Sequence, residues 1–408
     1  MDSVGAVCSA NNACSFITGG NLSHSKLSTN NIYYTSCLDS KAAQYKRKTQ
    51  IEYNLLSFKP SRLNNRYKQI GGEPTYEKHN KHVGKAISRP DLDSESQDSN
   101  SKTHFIYVKK FVVAFFMFCN PYSVIGRTFS TVSASLLVVE KLSDISPLFF
   151  IGVLQAMVPL LFMDIYVNGV NQLSDLEIDK INKPYLPLAS GQVSFTTGAI
   201  IVASSLTLSF GLAWTIGSWP LIWSVVSCFL LWTAYSINGP LLRWKRHPLL
   251  AATCVWATWA VIFPITFSAH MQTFVLKRAT IFPRSLIFVI VFMSFYSLGI
   301  ALFKDVPDID GDQAYGIQSF AARFGQKRVF WICVCLFEMA FGIALMAGLT
   351  SSSLLVKIVT GLGHAALAWI LWYQAKFVDL TSKASMGSFF MLIWKLLYVA
   401  YFLMPLIR

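Results

Sequence analysis

From residue 105 onward the chain repeats one pattern, a long apolar run followed by a short polar one. Runs 147–170, 196–214, 219–237, 248–267, 285–303, 329–349, 354–373 and 388–406 each approach the roughly 20 residues that an α-helix needs to cross a hydrocarbon layer. The apolar positions within each run are continuous rather than alternating. That pattern excludes barrel strands and predicts helices, which satisfy their own backbone groups inside lipid. Ahead of these runs, 105–119 and 121–139 are also apolar but are interrupted at Asn120-Pro121, and the second contains Arg127. This region predicts a surface helix followed by a span. The expected fold is all-α: a membrane bundle of about nine transmembrane helices formed by residues 105–408, behind a polar tail of residues 1–104.

Counting crossings places the loops. The polar stretch after the run ending at 170 and the one after the run ending at 303 are four crossings apart, so they emerge on the same face. The loops of that face hold eleven Lys and Arg (Lys180, Lys183, Arg243, Lys245, Arg246, Lys304, Arg323, Lys327, Arg328, Lys376 and Lys383), against five on the other. The positive-inside bias assigns the richer face to the cytosol or its organellar equivalent.

Composition narrows the classes. The chain is 53% hydrophobic and 14% charged with net charge +14, and its mean hydropathy is +0.44. Outside the tail the positive charge sits in short clusters between apolar runs, where it records orientation, and so does not indicate nucleic acid. Eight cysteines are scattered with neither a disulfide framework nor a zinc spacing. In the tail, the first 38 residues are rich in Ser, Asn and Thr with Asp2 the only acid and Lys26 the only base. A Ser-rich, acid-poor beginning without a compact apolar core predicts an organellar transit peptide rather than a secretory signal; a disordered polar tail is the alternative.

The candidate chemistry lies in the acids. Seven of the twelve acidic residues beyond position 104 fall in two short stretches, Asp175, Glu177, Asp179 and Asp305, Asp308, Asp310, Asp312. In the first, Asn171, Asp175 and Asp179 recur every four residues and share one helical face; in the second, Asp308 and Asp312 do. Stacked like charges repel, so two such pairs on one membrane face call for a cation. Oxygen-only donors imply a hard ion, and Mg²⁺ characteristically takes one or two carboxylates and completes its shell with water and substrate phosphates. The expected site is a Mg²⁺–diphosphate clamp with Asp175, Asp179, Asp308 and Asp312 as metal ligands and catalytic groups. Asn171 and Asp305 would orient the clamp, and Lys183, Arg243, Lys245 and Lys304 would meet the remaining diphosphate oxygens. Tyr235 is placed to stabilise an allylic cation through its ring, with plain packing as the alternative. Asp164 and Asn168 extend the same face into a span, where an acid must face a cavity or a partner. Glu338 lacks polar companions and reads as structural. His247, His270 and His364 lack ligand spacing.

These residues resemble the two signature motifs of the UbiA superfamily of membrane-bound aromatic prenyltransferases, Asn-Gln-x-x-Asp-x-x-x-Asp at Asn171–Asp179 and Lys-Asp-x-x-Asp-x-(Glu/Asp)-Gly-Asp at Lys304–Asp312. The likeness extends through Ile181-Asn182-Lys183-Pro184, Leu188-Ala189-Ser190-Gly191, Leu242-Arg243-Trp244-Lys245 and Ile393-Trp394-Lys395-Leu396. Within the superfamily the chain is most similar to the plastid flavonoid and isoflavonoid dimethylallyltransferases of legumes. The resemblance implies nine helices around a cavity, Mg²⁺-dependent ionisation of dimethylallyl diphosphate, and alkylation of a phenolic ring carbon at a plastid membrane. Two positions depart from common patterns: Asn120-Pro121-Tyr122-Ser123 stands where many relatives have Arg-Pro-His-Thr, and Ala400 stands where the tocopherol-type branch has a Glu. Both argue against homogentisate, whose carboxylate needs a cationic partner in a dry site. Homogentisate prenylation with a longer diphosphate remains the alternative within the class. A transporter of a phosphorylated solute is the alternative outside it, although a transporter wants polar groups near the midplane and the acidic motifs sit at one end.

Overall fold

The computed structural model describes residues 95–407, and among the described residues it is helical throughout, without a strand. Residues 1–94 of the expected transit tail lie outside the described residues. The helices are α1 (Glu95–Phe118), α2 (Pro121–Leu136), α3 (Pro147–Ser174), α4 (Leu176–Asn182), α5 (Phe195–Ile216), α6 (Trp219–Ser236), α7 (Pro248–Val275), α8 (Arg284–Phe303), α9 (Ile309–Ala314), α10 (Phe320–Phe324), α11 (Gln326–Leu349), α12 (Leu354–Ala375) and α13 (Lys383–Leu403). Among the described residues, eight are long and apolar enough to cross a membrane, and they correspond one to one with the eight continuous apolar runs.

A ninth crossing depends on α1 and α2, which together pass the same test but meet at 60°. The bend has a local cause. Asn120 adopts a left-handed conformation (φ 59°) that ends α1, and Pro121 opens α2 at a position where a missing N–H costs nothing. The bend is tied to α3, since the Gln172 side chain donates to the Phe118 carbonyl at 2.9 Å and Asn120 donates to Asn168 at 3.2 Å.

Helix α8 is the central element, with 61% of its most apolar window buried, whereas α5 and α12 each bury 22% and face outward. On α8, Phe292 and Tyr296 stack at 5.5 Å, and Phe337 of α11 packs 4.8 Å from Tyr296. Lipid is as apolar as these side chains, so their contribution comes from close packing rather than release of water. Helix α7 differs from expectation: it continues to Val275, past the expected end at 267, through two π-helical turns at Ala257–Ile262 and His270–Val275. Each π turn re-aims the side chains beyond it, which apolar periodicity does not encode.

Candidate active site

The first acidic motif lies across a break in helix geometry. Helix α3 ends at Ser174, and Asp175 both closes it and opens the short α4. The backbone ladder nevertheless continues, with Asp175 N–H to Asn171 O at 2.9 Å, Asp179 N–H to Asp175 O at 2.8 Å and Lys183 N–H to Asp179 O at 2.7 Å. Asn171, Asp175, Asp179 and Lys183 therefore form one row, as their spacing predicts. Asn171 donates to Asp175 Oδ2 at 2.9 Å.

Asp175 is buried and saturated with donors. Arg243 binds its Oδ1 and Lys245 its Oδ2, and Arg243 also donates to the Ser236 carbonyl at the end of α6. The loop that delivers these cations has Leu241 (φ 61°) and Arg243 (φ 64°) in the left-handed region, which costs about 1–2 kcal/mol per non-glycine residue. Such strain persists where surrounding contacts enforce it, and the Arg243–Asp175 pair is one of those contacts. Arg246, the neighbouring charge, is exposed.

The second motif caps α9. Asp308 closes the turn before Ile309 and its Oδ2 accepts from Lys183 Nζ at 2.5 Å. A second link joins the motifs through the backbone: Asn182 Nδ2 donates to the Asp308 carbonyl and its Oδ1 accepts from Gly311 N–H, both at 2.9 Å. A Cβ on Gly311 would lie 2.6 Å from the Asn182 amide, so this approach requires glycine. Asn182 and Gly311 are site residues whose role the acidic spacing does not give, although Gly311 is a fixed position of the second motif and Asn182 lies in the Ile181-Asn182-Lys183-Pro184 stretch after the first.

The remaining groups divide by what they touch. Lys304 donates to the Tyr235 hydroxyl at 2.7 Å and to Asp305 at 2.9 Å, so the expected diphosphate cation, the orienting acid and the expected aromatic form one cluster. Glu177 pairs with Lys180 on the exposed side, and Asp310, 72% exposed, pairs with Lys383. Asp179 and Asp312 are buried and, among the described residues, in no salt bridge. Burial, reinforced by Asp175 and Asp308, pushes the Asp179 carboxyl up to about 6, against the pull of Lys183 and Lys245. Burial with Asp305 and Asp308 nearby pushes Asp312 up to about 7. Lys245 is lowered by burial, against the pull of Asp175. For Lys183, burial is outweighed by Asp308 and Asp179, which hold its charge well above the ordinary lysine range. The site thus gathers five carboxylates, Asp175, Asp179, Asp305, Asp308 and Asp312, and four cations, Lys183, Arg243, Lys245 and Lys304, at one end of the bundle, with Asp179 and Asp312 in no salt bridge.

Comparison with known proteins decides the family. Residues 128–396 match the UbiA prenyltransferase family. The chain belongs to that family. It is 58% identical to glycinol 4-dimethylallyltransferase of Glycine max over 97% of both chains. It is 47% identical to naringenin 8-dimethylallyltransferase 2, chloroplastic, of Sophora flavescens, again over 97% of both. With homogentisate phytyltransferase 1, chloroplastic, of Arabidopsis thaliana it shares 53% identity over 77% of this chain and 79% of the other. A solved UbiA homologue from Archaeoglobus fulgidus, bound to GPP and Mg²⁺, superposes with a TM-score of 0.50 at 14% identity, covering 71% of this chain and 97% of that one. As a UbiA family member the protein is a multi-pass membrane prenyltransferase, and the helical fold expected from its apolar runs is the fold of the family.

Proposed function

We propose that the protein transfers a dimethylallyl group from dimethylallyl diphosphate to a ring carbon of a flavonoid- or isoflavonoid-type phenol, with Mg²⁺ as cofactor, in a plastid membrane. The observation that carries this reading is the joining of the two acidic motifs at one end of the bundle by the Lys183–Asp308 pair and the Asn182 bridge. The donor set fits the ion. Asp175, Asp179, Asp308 and Asp312 are all hard oxygen donors; Asp179 and Asp312, buried without a salt bridge, would bind the ion directly, whereas Asp175 and Asp308 would exchange Lys245 and Lys183 for it. Among the described residues no three acidic, His or Cys side chains converge into a ready cage. Mg²⁺ supplies neutralising charge to the diphosphate as it departs.

The protein's own groups do the rest. Lys183, Lys245, Lys304 and Arg243 present donors to diphosphate oxygens, while Asn171 holds Asp175 and Asp305 holds Lys304 in place. The C–O bond breaks heterolytically with its electron pair leaving on diphosphate, and the surrounding apolar helices keep water from the allylic cation. The Tyr235 hydroxyl accepts from Lys304, and in this reading its ring would border that position. The ring carbon beside a phenolic oxygen attacks, and its proton passes to a base, diphosphate or a motif carboxylate. The plastid assignment is supported by the Ser-rich, acid-poor start of the chain and by relatives named chloroplastic.

The test is direct. Membranes from cells expressing the full chain are offered dimethylallyl and longer diphosphates with flavonoids and homogentisate, and products are read by mass and NMR. A monoprenylated flavonoid, lost in EDTA and restored by Mg²⁺, is the expected result. Prenylation of homogentisate with every flavonoid untouched overturns the acceptor assignment, and full activity in EDTA overturns the clamp.

A further inference from the structure

A second polar site lies deeper in the bundle. Arg127 of α2 and Asp164 of α3 form a bidentate pair, Nε to Oδ2 at 3.0 Å and Nη2 to Oδ1 at 2.7 Å, with side chains only 4% and 8% exposed. The guanidinium carbon lies 3.3 Å from the ring centroid of Phe263 and 4.7 Å from that of Trp259. Two buried donors here have no hydrogen-bond partner, Arg127 Nη1 and the indole Nε1 of Trp394. Both residues border the same ring, because Trp394 packs edge-on against Trp259 at 5.6 Å. Local backbone features favour this arrangement. Gly126 lets Trp394 press against α2, since a Cβ there would come within 2.7 Å of the indole. Trp259 sits on the first π turn of α7, a distortion frequent at functional positions.

The site connects to the diphosphate end. Tyr122 packs 5.5 Å from Trp394. On α3, Asn168 donates to the Asp164 carbonyl at 2.8 Å and accepts from Asn120 at 3.2 Å, and one turn further Asn171 donates to Asp175, so one polar row runs from the ion pair to the first acidic motif. A buried ion pair is weak evidence for stability, and a buried donor left unpaired is destabilising. The Phe263 and Trp259 rings hold the guanidinium by its face, yet neither Nη1 nor the Trp394 indole N–H reaches an acceptor atom. Two donors beside aromatic rings suit a planar ligand carrying acceptor oxygens.

We propose that Arg127 Nη1 and Trp394 Nε1 bind oxygens of the aromatic acceptor, and that Asp164, by neutralising Arg127, selects uncharged planar phenols over carboxylate-bearing ones. The proposal rests on the prenyl-transfer reading above. A phenolic or carbonyl oxygen accepts from Nη1 without adding charge. A carboxylate would bring a second negative charge beside Asp164, in surroundings that tolerate a buried charge only when it is paired. Asp164 thus acts through Arg127 as a positioning residue.

The experiment uses the full chain in membranes, with dimethylallyl diphosphate as donor and either a flavanone without a carboxylate or homogentisate as acceptor. Asp164→Asn should raise the kcat/KM ratio for homogentisate over the flavanone at least tenfold. Trp394→Phe should raise the flavanone KM severalfold, and neither change should move the donor KM. An unchanged ratio in active Asp164→Asn overturns the charge filter, and an unchanged flavanone KM in Trp394→Phe overturns the donor role. If Asp164→Asn does not accumulate, the Trp394→Phe measurement decides. Diphosphate release is followed in parallel. Its Mg²⁺ dependence in the wild type, together with unaltered acceptor selectivity in both variants, would refute this proposal while leaving the transferase reading intact; absence of diphosphate release in the wild type would refute that reading instead.

Discussion

The two ends of α3 use the same residue type in opposite ways. Before its first turn, Asp144 is fully paired within the protein: Arg278 binds both oxygens at 2.7 and 3.1 Å, and the backbone N–H groups of Glu140 and Lys141 add two more bonds. Arg278 first, and then these amides, hold its carboxyl down at about 2. Past the last turn, Asp179 sits buried without a salt bridge and is pushed up to about 6 by that burial. One carboxylate ties loops together and asks nothing of a ligand. The other is left short of positive charge, in the place where the proposed substrate brings Mg²⁺. Perturbation toward the neutral form, in a cleft with like charges, marks candidate function; perturbation toward the charged form by a complete set of donors marks structure.

Separating activity from stability breaks or confirms that contrast. Asp179→Asn and Asp312→Asn, which keep shape and remove charge, should each lower prenyl transfer by about a hundredfold or more, the scale of losing one group that stabilises transition-state charge. Their thermal midpoints should hold or rise, because an uncompensated buried charge is gone; a fall in midpoint with activity retained would reverse the assignment. Gly311→Ala should come next. Its methyl displaces the Asn182 amide, so the motifs lose their backbone link and the KM for diphosphate should rise by about tenfold, roughly the 1.4 kcal/mol of one good hydrogen bond. Tyr235→Phe keeps the ring and removes the oxygen that accepts from Lys304; a loss of only a few fold, read in kcat, would credit the ring, and a larger one the hydroxyl. The smallest effect belongs to the other end. The folded Asp144 carboxyl lies below its free value of about 4, so its stabilisation is complete above pH 4 and is lost as the pH falls from 4 toward 2. Asp144→Asn should lower the thermal midpoint slightly at pH 7, flatten its fall across that window, and spare activity.

The sequence made some of this legible and hid the rest for physical reasons. Spans were readable because a bilayer demands about 20 apolar residues, and eight of them stood out without any structural input. The row Asn171, Asp175, Asp179 was readable because helical spacing survives the break at Asp175. The division of labour within the motifs was not. Asp175 is bound by Arg243 and Lys245, about 70 residues away, whereas Asp179 is, among the described residues, in no salt bridge, and spacing carries no information on partners so distant. The Asn182–Gly311 link spans 129 positions, and one amide with one glycine produces no periodic signal. Arg127 and Asp164 were each conspicuous as charges inside spans, yet only the packing of α2 on α3 shows that they belong to each other. The π turns of α7 were invisible, since an extra residue in a uniformly apolar run changes no pattern.

Helix α3 also works as a ruler. Asp164 lies on it and Asp175 closes it eleven residues later, with the Asp175 N–H still bonded to the Asn171 carbonyl; eleven residues make three turns plus about 20°, a rise of about 16.5 Å with both side chains near one face. The spacing between the ion pair and the acidic motif is therefore fixed by one helical backbone, indifferent to how the outer helices breathe. An alanine inserted between Asn168 and Asn171 would swing the two ends about 100° out of phase while lengthening the rod by only 1.5 Å. Four inserted residues would nearly restore the phase and add about 6 Å. Shape on this helix is thus set in whole turns, and a change of reach between its two polar sites comes in steps rather than by gradual drift.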